Sequence, residues 1–277
     1  MKYIDAHMHF WDRSRMPYTW LHEVPSIWHR HTPENLHEEA RGDLPEKIVF
    51  VECGAPWLDE VKYVEALAQT EPRIKAIVAN IRVNEGPATS AAIAELKKHP
   101  MVRGVRHLFE HEKDLEYCAR PAFLAGVREL PAAGLTFDIC CKHYYLPAVI
   151  EMVRQCPETR FILDHAGKPG IKAGLLDPWR EHFRALAKFP NIVCKLSGLF
   201  TEADHQHWSP DQLRPYVMHL LETFGPSRLL FGGDWPVAKL ACGYLRWLEI
   251  ARGFAADLPA AEQSAIFFDN AERIYRI

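Results

Sequence analysis

The stretch MKYIDAHMHFWD, residues 1–12, runs from an apolar start into Asp5, His7 and His9 at alternating positions. Side chains two apart on a strand share a face, so both imidazoles are expected on one side, where this first strand ends. A polar group left without partners in a protein interior costs on the order of a few kcal/mol. The pair therefore holds a metal, orients a substrate or is satisfied by its neighbours, and the rest of the chain has to separate these options.

The same pattern of a short apolar strand ending in polar residues recurs along the chain. Strands are predicted at 2–9, 47–53, 74–83, 102–108, 136–141, 160–165, 192–197 and 228–234. Helical periodicity fits the intervals at 32–41, 57–69, 87–99, 121–133, 145–155, 177–189, 209–224 and 243–256, with a further helix at 259–274. Thr32 is a suitable N-cap and Pro33 a suitable first helical residue. Strands separated by helical crossovers pair in parallel. Repeated strand–helix units of this number predict an α/β fold, a closed (β/α)8 TIM barrel, with residues 1–277 as a single domain. No glycine-rich nucleotide fingerprint follows the first strand, which argues against an open dinucleotide-binding sheet.

Composition narrows the partners. The formal net charge of −3 gives no basic field for nucleic acid. No apolar run is long enough to span a membrane, and the N-terminus has no basic segment leading into an apolar one. The 7 cysteines are scattered, include the adjacent Cys140 and Cys141, and form no C-x-x-C. They read as reduced, buried thiols, and the expected compartment is the cytoplasm. The expected partner is a small molecule; oligomeric state is open, a homo-oligomer included.

The unusual polar residues gather at strand ends: His7 and His9, Glu52, Arg106 and His107, Lys142 and His143, Asp164 and His165, Lys195 and Ser197, and Asp234. In a parallel barrel these ends lie at one face, where barrel active sites are built. His7, His9, His165 and Asp234 supply imidazole and carboxylate from strands one, six and eight, a donor set that suits one zinc ion with a position left open for water. Hydrogen bonding within the barrel mouth without a metal is the alternative.

The order of DAHMHFW, GVRHL, LDHAGKP, KLSGLFTEAD and FGGDWPV along the chain resembles the amidohydrolase superfamily. It is closest in pattern to the branch that holds sugar-acid lactonases, such as L-fuconolactonase and L-rhamnonolactonase, and the pyrone-dicarboxylate lactonase. The resemblance implies a (β/α)8 barrel that hydrolyses a small sugar-derived lactone. It also implies that Asp234 activates water and that His7, His9 and His165 line the site. Some members of this branch work without metal, so the resemblance leaves open whether the one zinc ion is bound or needed. Lys142 beside the cysteine pair is no clear bridging lysine, which argues against a two-metal centre.

On that reading His165 and Arg106 are the candidate donors to the oxyanion, and Asp234 is the base. Arg106 and His107 alternate, so only one of them faces the mouth. Trp11, Trp235, Lys168, Lys195 and His107 are candidate substrate contacts, the indoles by stacking on a sugar ring. Asp5 is expected to support a ligating histidine from deeper in the barrel. Residues 11–31 form a long aromatic loop expected to cover the site. The competing reading is a metal-dependent, non-oxidative decarboxylase of an unsaturated or aromatic acid on the same scaffold. A non-catalytic sugar-acid binder is a third.

Overall fold

The structure, a computed structural model, describes residues 1–277, the side chain at position 111 excepted. Eight parallel strands follow one another in chain order around a barrel. They are β1 (Ile4–Met8), β2 (Lys47–Val51), β3 (Ile74–Asn80), β4 (Val102–Leu108), β5 (Thr136–Cys140), β6 (Phe161–Leu163), β7 (Ile192–Leu196) and β8 (Leu229–Phe231). The (β/α)8 fold expected from the sequence is the one observed. Between β1 and β8 the barrel closes through residues just past β8. The Asp234 amide donates to the His7 carbonyl and the His9 amide to the Trp235 carbonyl, each at 2.8 Å.

The helices between the strands are α1 (Pro33–Ala40), α2 (Trp57–Thr70), α3 (Pro87–Leu96), α4 (Pro121–Val127), α5 (Leu146–Gln155), α6 (Trp179–Ala187) and α7 (Pro210–Phe224). After β8 come α8 (Tyr244–Ala255), α9 (Ala260–Ser264) and α10 (Asn270–Tyr275). Thr32 with Asn35 and Ser209 with Gln212 form capping boxes that satisfy the first amides of α1 and α7. Two predicted helices are broken. The run at 121–133 ends at Val127, and Pro131 opens a separate short turn, because proline cannot donate the amide an α-helix needs there. The run at 259–274 is interrupted by a π-helical segment at Ala265–Asp269.

Burial divides into two shells. Ile4, Ala6, Val49, Val51, Ala76, Val78, Ile162, Val193 and Leu230 form the inner cluster, with Ala271, Ile274 and Tyr275 of α10 packed against them. The larger cluster fills the space between barrel and helices. Lys47, at the start of β2, bonds Glu272 at 2.6 Å and the Ile277 carbonyl at 2.9 Å. The C-terminal segment thus plugs the end of the barrel where strands begin, and the opposite end is left open for chemistry.

Candidate active site

The open end holds a cavity of about 460 Å³ lined by His9, Trp20, Glu52, Arg106, Glu110, Cys140, His165, Lys168 and Asp234, among others. Local backbone irregularity builds it. The β1–β2 register shifts between Asp5 and Met8, which breaks strict alternation and lets Asp5 and His7 serve different surroundings. Asp5 accepts the amides of His7 and Gly233 at 2.9 Å each and the Tyr244 hydroxyl of α8 at 3.0 Å. It therefore supports His7 through the backbone rather than through the imidazole, and it pins the residue before Asp234 at the same time. Burial pushes the Asp5 carboxyl up to about 7 against those three donors. Position 233 has to be glycine, since a Cβ there would collide with the Asp5 carboxylate and the Tyr244 ring.

Asp234 (φ 53°), His165 (φ 51°), Ala166 (φ 54°) and Lys168 (φ 42°) all adopt left-handed backbone conformations. Each such non-glycine residue costs on the order of 1–3 kcal/mol and persists only where its surroundings hold it. Here the Asp234 amide is tied to His7, and the buried Trp179 indole donates to the Ala166 carbonyl at 2.8 Å. The strain lies where chain direction changes at the ends of β6 and β8, and it turns His165 and Asp234 into the cavity.

The side chains then converge. His9 Nδ1 lies 2.8 Å from the Val51 carbonyl, to which it donates, and this turns Nε2 toward Asp234 Oδ1 at 3.4 Å. His7 Nε2 lies 3.7 Å from the same oxygen. His165 Nδ1 is 2.9 Å from Ser197 Oγ. Burial, and after it the charge of Lys195, holds the His7 imidazole well below its usual pKa; burial and then His7 do the same for His165. Both rings are neutral at pH 7.

His7, His9 and Asp234 offer ligand atoms within 4.8 Å of one another, as do His7, Asp164 and His165. Ligand atoms about 2.0–2.1 Å from a tetrahedral zinc ion stand roughly 3.3 Å apart. The 3.4 and 3.7 Å separations of the first set fit that spacing, and the donor types fit zinc.

Beneath these rings lies a buried charge network. Lys195 Nζ contacts Asp138 Oδ2 at 2.6 Å, Asp164 Oδ1 at 2.9 Å and His7 Nδ1 at 3.2 Å. Tyr275 of α10 donates to the same Asp138 oxygen at 2.9 Å. Burial raises Asp138 to about 6, with Lys195 pulling the other way. Arg106 is held by Glu52, through Nε to the carboxylate and Nη2 to the carbonyl, each at 2.7 Å. Burial opposes the guanidinium charge, and Glu52 more than offsets it. Lys168 pairs with Glu110 at the cavity wall.

A model of the amidohydrolase family matches residues 4–277 of this barrel. The chain belongs to the amidohydrolase family. It is 32% identical to an L-fucono-1,5-lactonase from Burkholderia ambifaria over 287 residues, spanning 99% of this chain and 95% of that protein. It is 33% identical to an L-fucono-1,5-lactonase from Burkholderia multivorans over 291 residues, spanning 99% and 96%. The crystal structure of an amidohydrolase from Burkholderia multivorans with bound zinc superposes with a TM-score of 0.91 at 31% identity, covering 100% of both chains.

Within this amidohydrolase the residues expected from sequence fall into two groups. His9, His165, Asp234, Arg106 and Lys168 line the cavity, and His7 is buried just behind it with Nε2 3.7 Å from Asp234 Oδ1. Trp11, Trp235, Lys195 and His107 do not reach its wall. Trp11 and Trp235 are fully buried, their indole N–H groups spent on the His29 carbonyl and Glu39 at 2.9 Å each. No indole face is left there for a sugar, and Trp20 of the 11–31 loop lines the cavity instead, bonded to the Cys53 carbonyl at 2.7 Å. Lys195 is fully buried under His7. Strand alternation sends Arg106 inward and His107 outward, where His107 pairs with Glu112 at 3.1 Å among Phe109, Tyr117 and Phe123. Lys142 bonds Glu202 at 2.7 Å and stands 3.8 Å from Glu110, in an open basin that adjoins the cavity and shares Lys168 and Thr201 with it.

Glu52, Glu110, Asp138 and Tyr275 take structural parts that the sequence reading did not assign. Asp138 had a signal, a carboxylate inside the apolar strand TFDICC, two residues from Cys140 on the same face. Gly198 is another such position: its φ is +60°, and a Cβ would run into the His165 imidazole. Gly198→Ala is expected to cost about 1–3 kcal/mol through backbone strain and overpacking, read by urea unfolding. It should also displace His165 and reduce turnover. A variant with wild-type stability and activity would contradict this placement of His165.

Proposed function

We propose that residues 1–277 act as one catalytic domain that opens a neutral sugar-acid lactone of the L-fucono- or L-rhamnono-lactone kind by hydrolysis at the carbonyl. The observation that carries this is Asp234. Its Oδ1 lies within 3.4 and 3.7 Å of the His9 and His7 imidazoles at the cavity floor, in a chain that two L-fucono-1,5-lactonases match over nearly their full length.

In the proposed reaction a water molecule in the cavity gives a proton to the Asp234 carboxylate while its oxygen bonds to the lactone carbonyl carbon. The carbonyl electrons move onto oxygen, where the Arg106 guanidinium, the neutral His165 ring and the Lys168 ammonium are positioned to meet the charge. The carbon–ring-oxygen bond then breaks, and Asp234 returns its proton to the departing alkoxide. The product carboxylic acid ionises and releases one proton to solvent. If a divalent ion is present, His7, His9 and Asp234 would hold it, and it would supply Lewis acidity at the carbonyl or at water. The 11–31 loop contributes Thr19, Trp20, Glu23 and Val24 to the cavity wall and restricts solvent there.

The charge balance of the wall favours this reading over decarboxylation. Both cations facing the cavity are already matched, Arg106 by Glu52 and Lys168 by Glu110. An acid substrate would bring its carboxylate beside Glu23, Glu52, Glu110 and Asp234, and like charges at such range are costly. Hydroxyl groups both donate and accept, and so can bridge these ion pairs. Neutral sugar lactones are expected to exceed carboxylated or sulfonated lactones in kcat/KM by about tenfold or more, which corresponds to roughly 1.4 kcal/mol. A pH-indicator assay across both panels tests this. Preferential hydrolysis of the charged lactones would overturn the substrate class, and decarboxylation of an aromatic or unsaturated acid would overturn the reaction.

No helix among the described residues is long and apolar enough to cross a membrane. The cysteines are unpaired, which supports our assignment to the reducing cytoplasm.

A further inference from the structure

We propose that Arg106 and a divalent ion compete for the same edge of the His7 imidazole, so that the guanidinium is a built-in occupant of the place the ion would take. The inference rests on reading His7, His9 and Asp234 as the ion-binding set. An N–H of Arg106 Nη1 points at His7 Nε2 at 3.3 Å. Nε2 is also the His7 atom that faces Asp234 Oδ1, and is therefore the nitrogen with which His7 would join that set. A neutral imidazole has one lone pair, and an ion bound through Nε2 needs both that pair on Nε2 and the space in front of it, which the Arg106 guanidinium now occupies. A fixed positive charge 3.3 Å from a ligand atom also repels a second cation.

The competitor is not a loosely placed side chain. Two 2.7 Å bonds to Glu52 fix the other arms of the guanidinium, and the residue is 5% exposed. The opposite ring nitrogen gives no escape, because Nδ1 faces the Lys195 ammonium at 3.2 Å as well as Asp164 at 3.4 Å. His9 differs. Its Nε2 faces Asp234 Oδ1 at 3.4 Å, and among the described residues no guanidinium hydrogen-bonds to it. Ion binding by the full set therefore requires Nη1 to leave His7. Glu52, by holding Arg106, sets the cost of that move. On this account the protein has a positive group at its carbonyl-polarising position whether or not an ion is bound.

The test is zinc affinity at fixed pH, measured by competition with a chromophoric chelator, with thermal unfolding of each variant alongside. Arg106→Met combined with Glu52→Gln removes both charges of that pair, and Asp164, which also faces Arg106 at 3.6 Å, keeps Lys195 at 2.9 Å. This double variant is expected to bind zinc at least about tenfold more tightly than the wild type. Affinity equal to or weaker than wild type in a folded double variant overturns the competition. If the double variant does not fold, a crystal structure of the zinc-loaded wild type decides. Arg106 withdrawn from Nε2 supports the proposal, and an ion on Nε2 with Nη1 still in place overturns it. His9→Ala separates the two levels of the argument: unchanged zinc affinity in that variant would remove the ion-binding set itself, whereas the competition is read from position 106.

Discussion

Asp234→Asn is expected to fold as the wild type does and to lose turnover by about 10²–10⁴-fold, the usual worth of a positioned general base. The amide keeps the size of the side chain and can still face His7 and His9, but it has no carboxylate to take the proton of water. The backbone that holds position 234 is independent of the side chain. The amide bonds the His7 carbonyl, and the preceding Gly233 is tied to Asp5. Asparagine also tolerates the left-handed φ of 53° better than most residues, so stability should change little. The loss should fall on kcat rather than on KM, because the interaction lost belongs to the transition state. Near-wild-type kcat in a folded Asp234→Asn protein would remove Asp234 as the base.

Lys195→Met is expected to destabilise the protein by about 3–5 kcal/mol, the typical result of removing one partner from a buried ion pair. The ammonium is fully buried between Asp138 at 2.6 Å and Asp164 at 2.9 Å. Neither Asp164 oxygen has a well-aligned hydrogen bond to take over, and its next cation, Arg106, stands 3.6 Å away. Burial disfavours the Lys195 charge, but the paired aspartates more than restore it and keep its pKa raised. Removing the cation leaves carboxylates to be protonated or exposed. Asp138→Asn in the Lys195→Met background should return part of the loss, since it removes one of the stranded charges. Urea unfolding reads both. A loss below about 1 kcal/mol for the single variant would mean that the network is solvated or already neutral, contrary to the burial described.

The sequence makes the barrel legible because each strand is a short apolar run bounded by a helical period, and parallel pairing follows from the crossovers. The strand ends were harder to place. The runs read at 160–165 and 228–234 contract to Phe161–Leu163 and Leu229–Phe231. Asp164, His165 and Asp234 lie past the ends of their regular strands, and the left-handed turns at His165 and Asp234 redirect the chain there. Hydrophobicity alone does not show a turn made by residues other than glycine. His7 and His9 were legible as a pair from their spacing, and Arg106 against His107 from alternation. The orientation of Arg106 was not, because Glu52 on a different strand sets it. Trp11 and Trp235 illustrate the converse. Nearness in sequence to site motifs suggested a stacking wall, but both rings pack edge-on against His31 in the layer behind the cavity. The link from Tyr275 through Asp138 to Lys195 joins the last helix to the site floor, and no local pattern encodes a contact across that sequence distance.

The most direct test of the central claim is acid release in a pH-stat by purified protein with L-fucono-1,5-lactone, corrected for spontaneous ring opening. The account predicts one proton per lactone consumed, at a rate that the wild type accelerates and that Asp234→Asn accelerates about 10²–10⁴-fold less. No acceleration by the wild type over the uncatalysed rate, with this lactone and its neutral sugar-acid relatives, would contradict it.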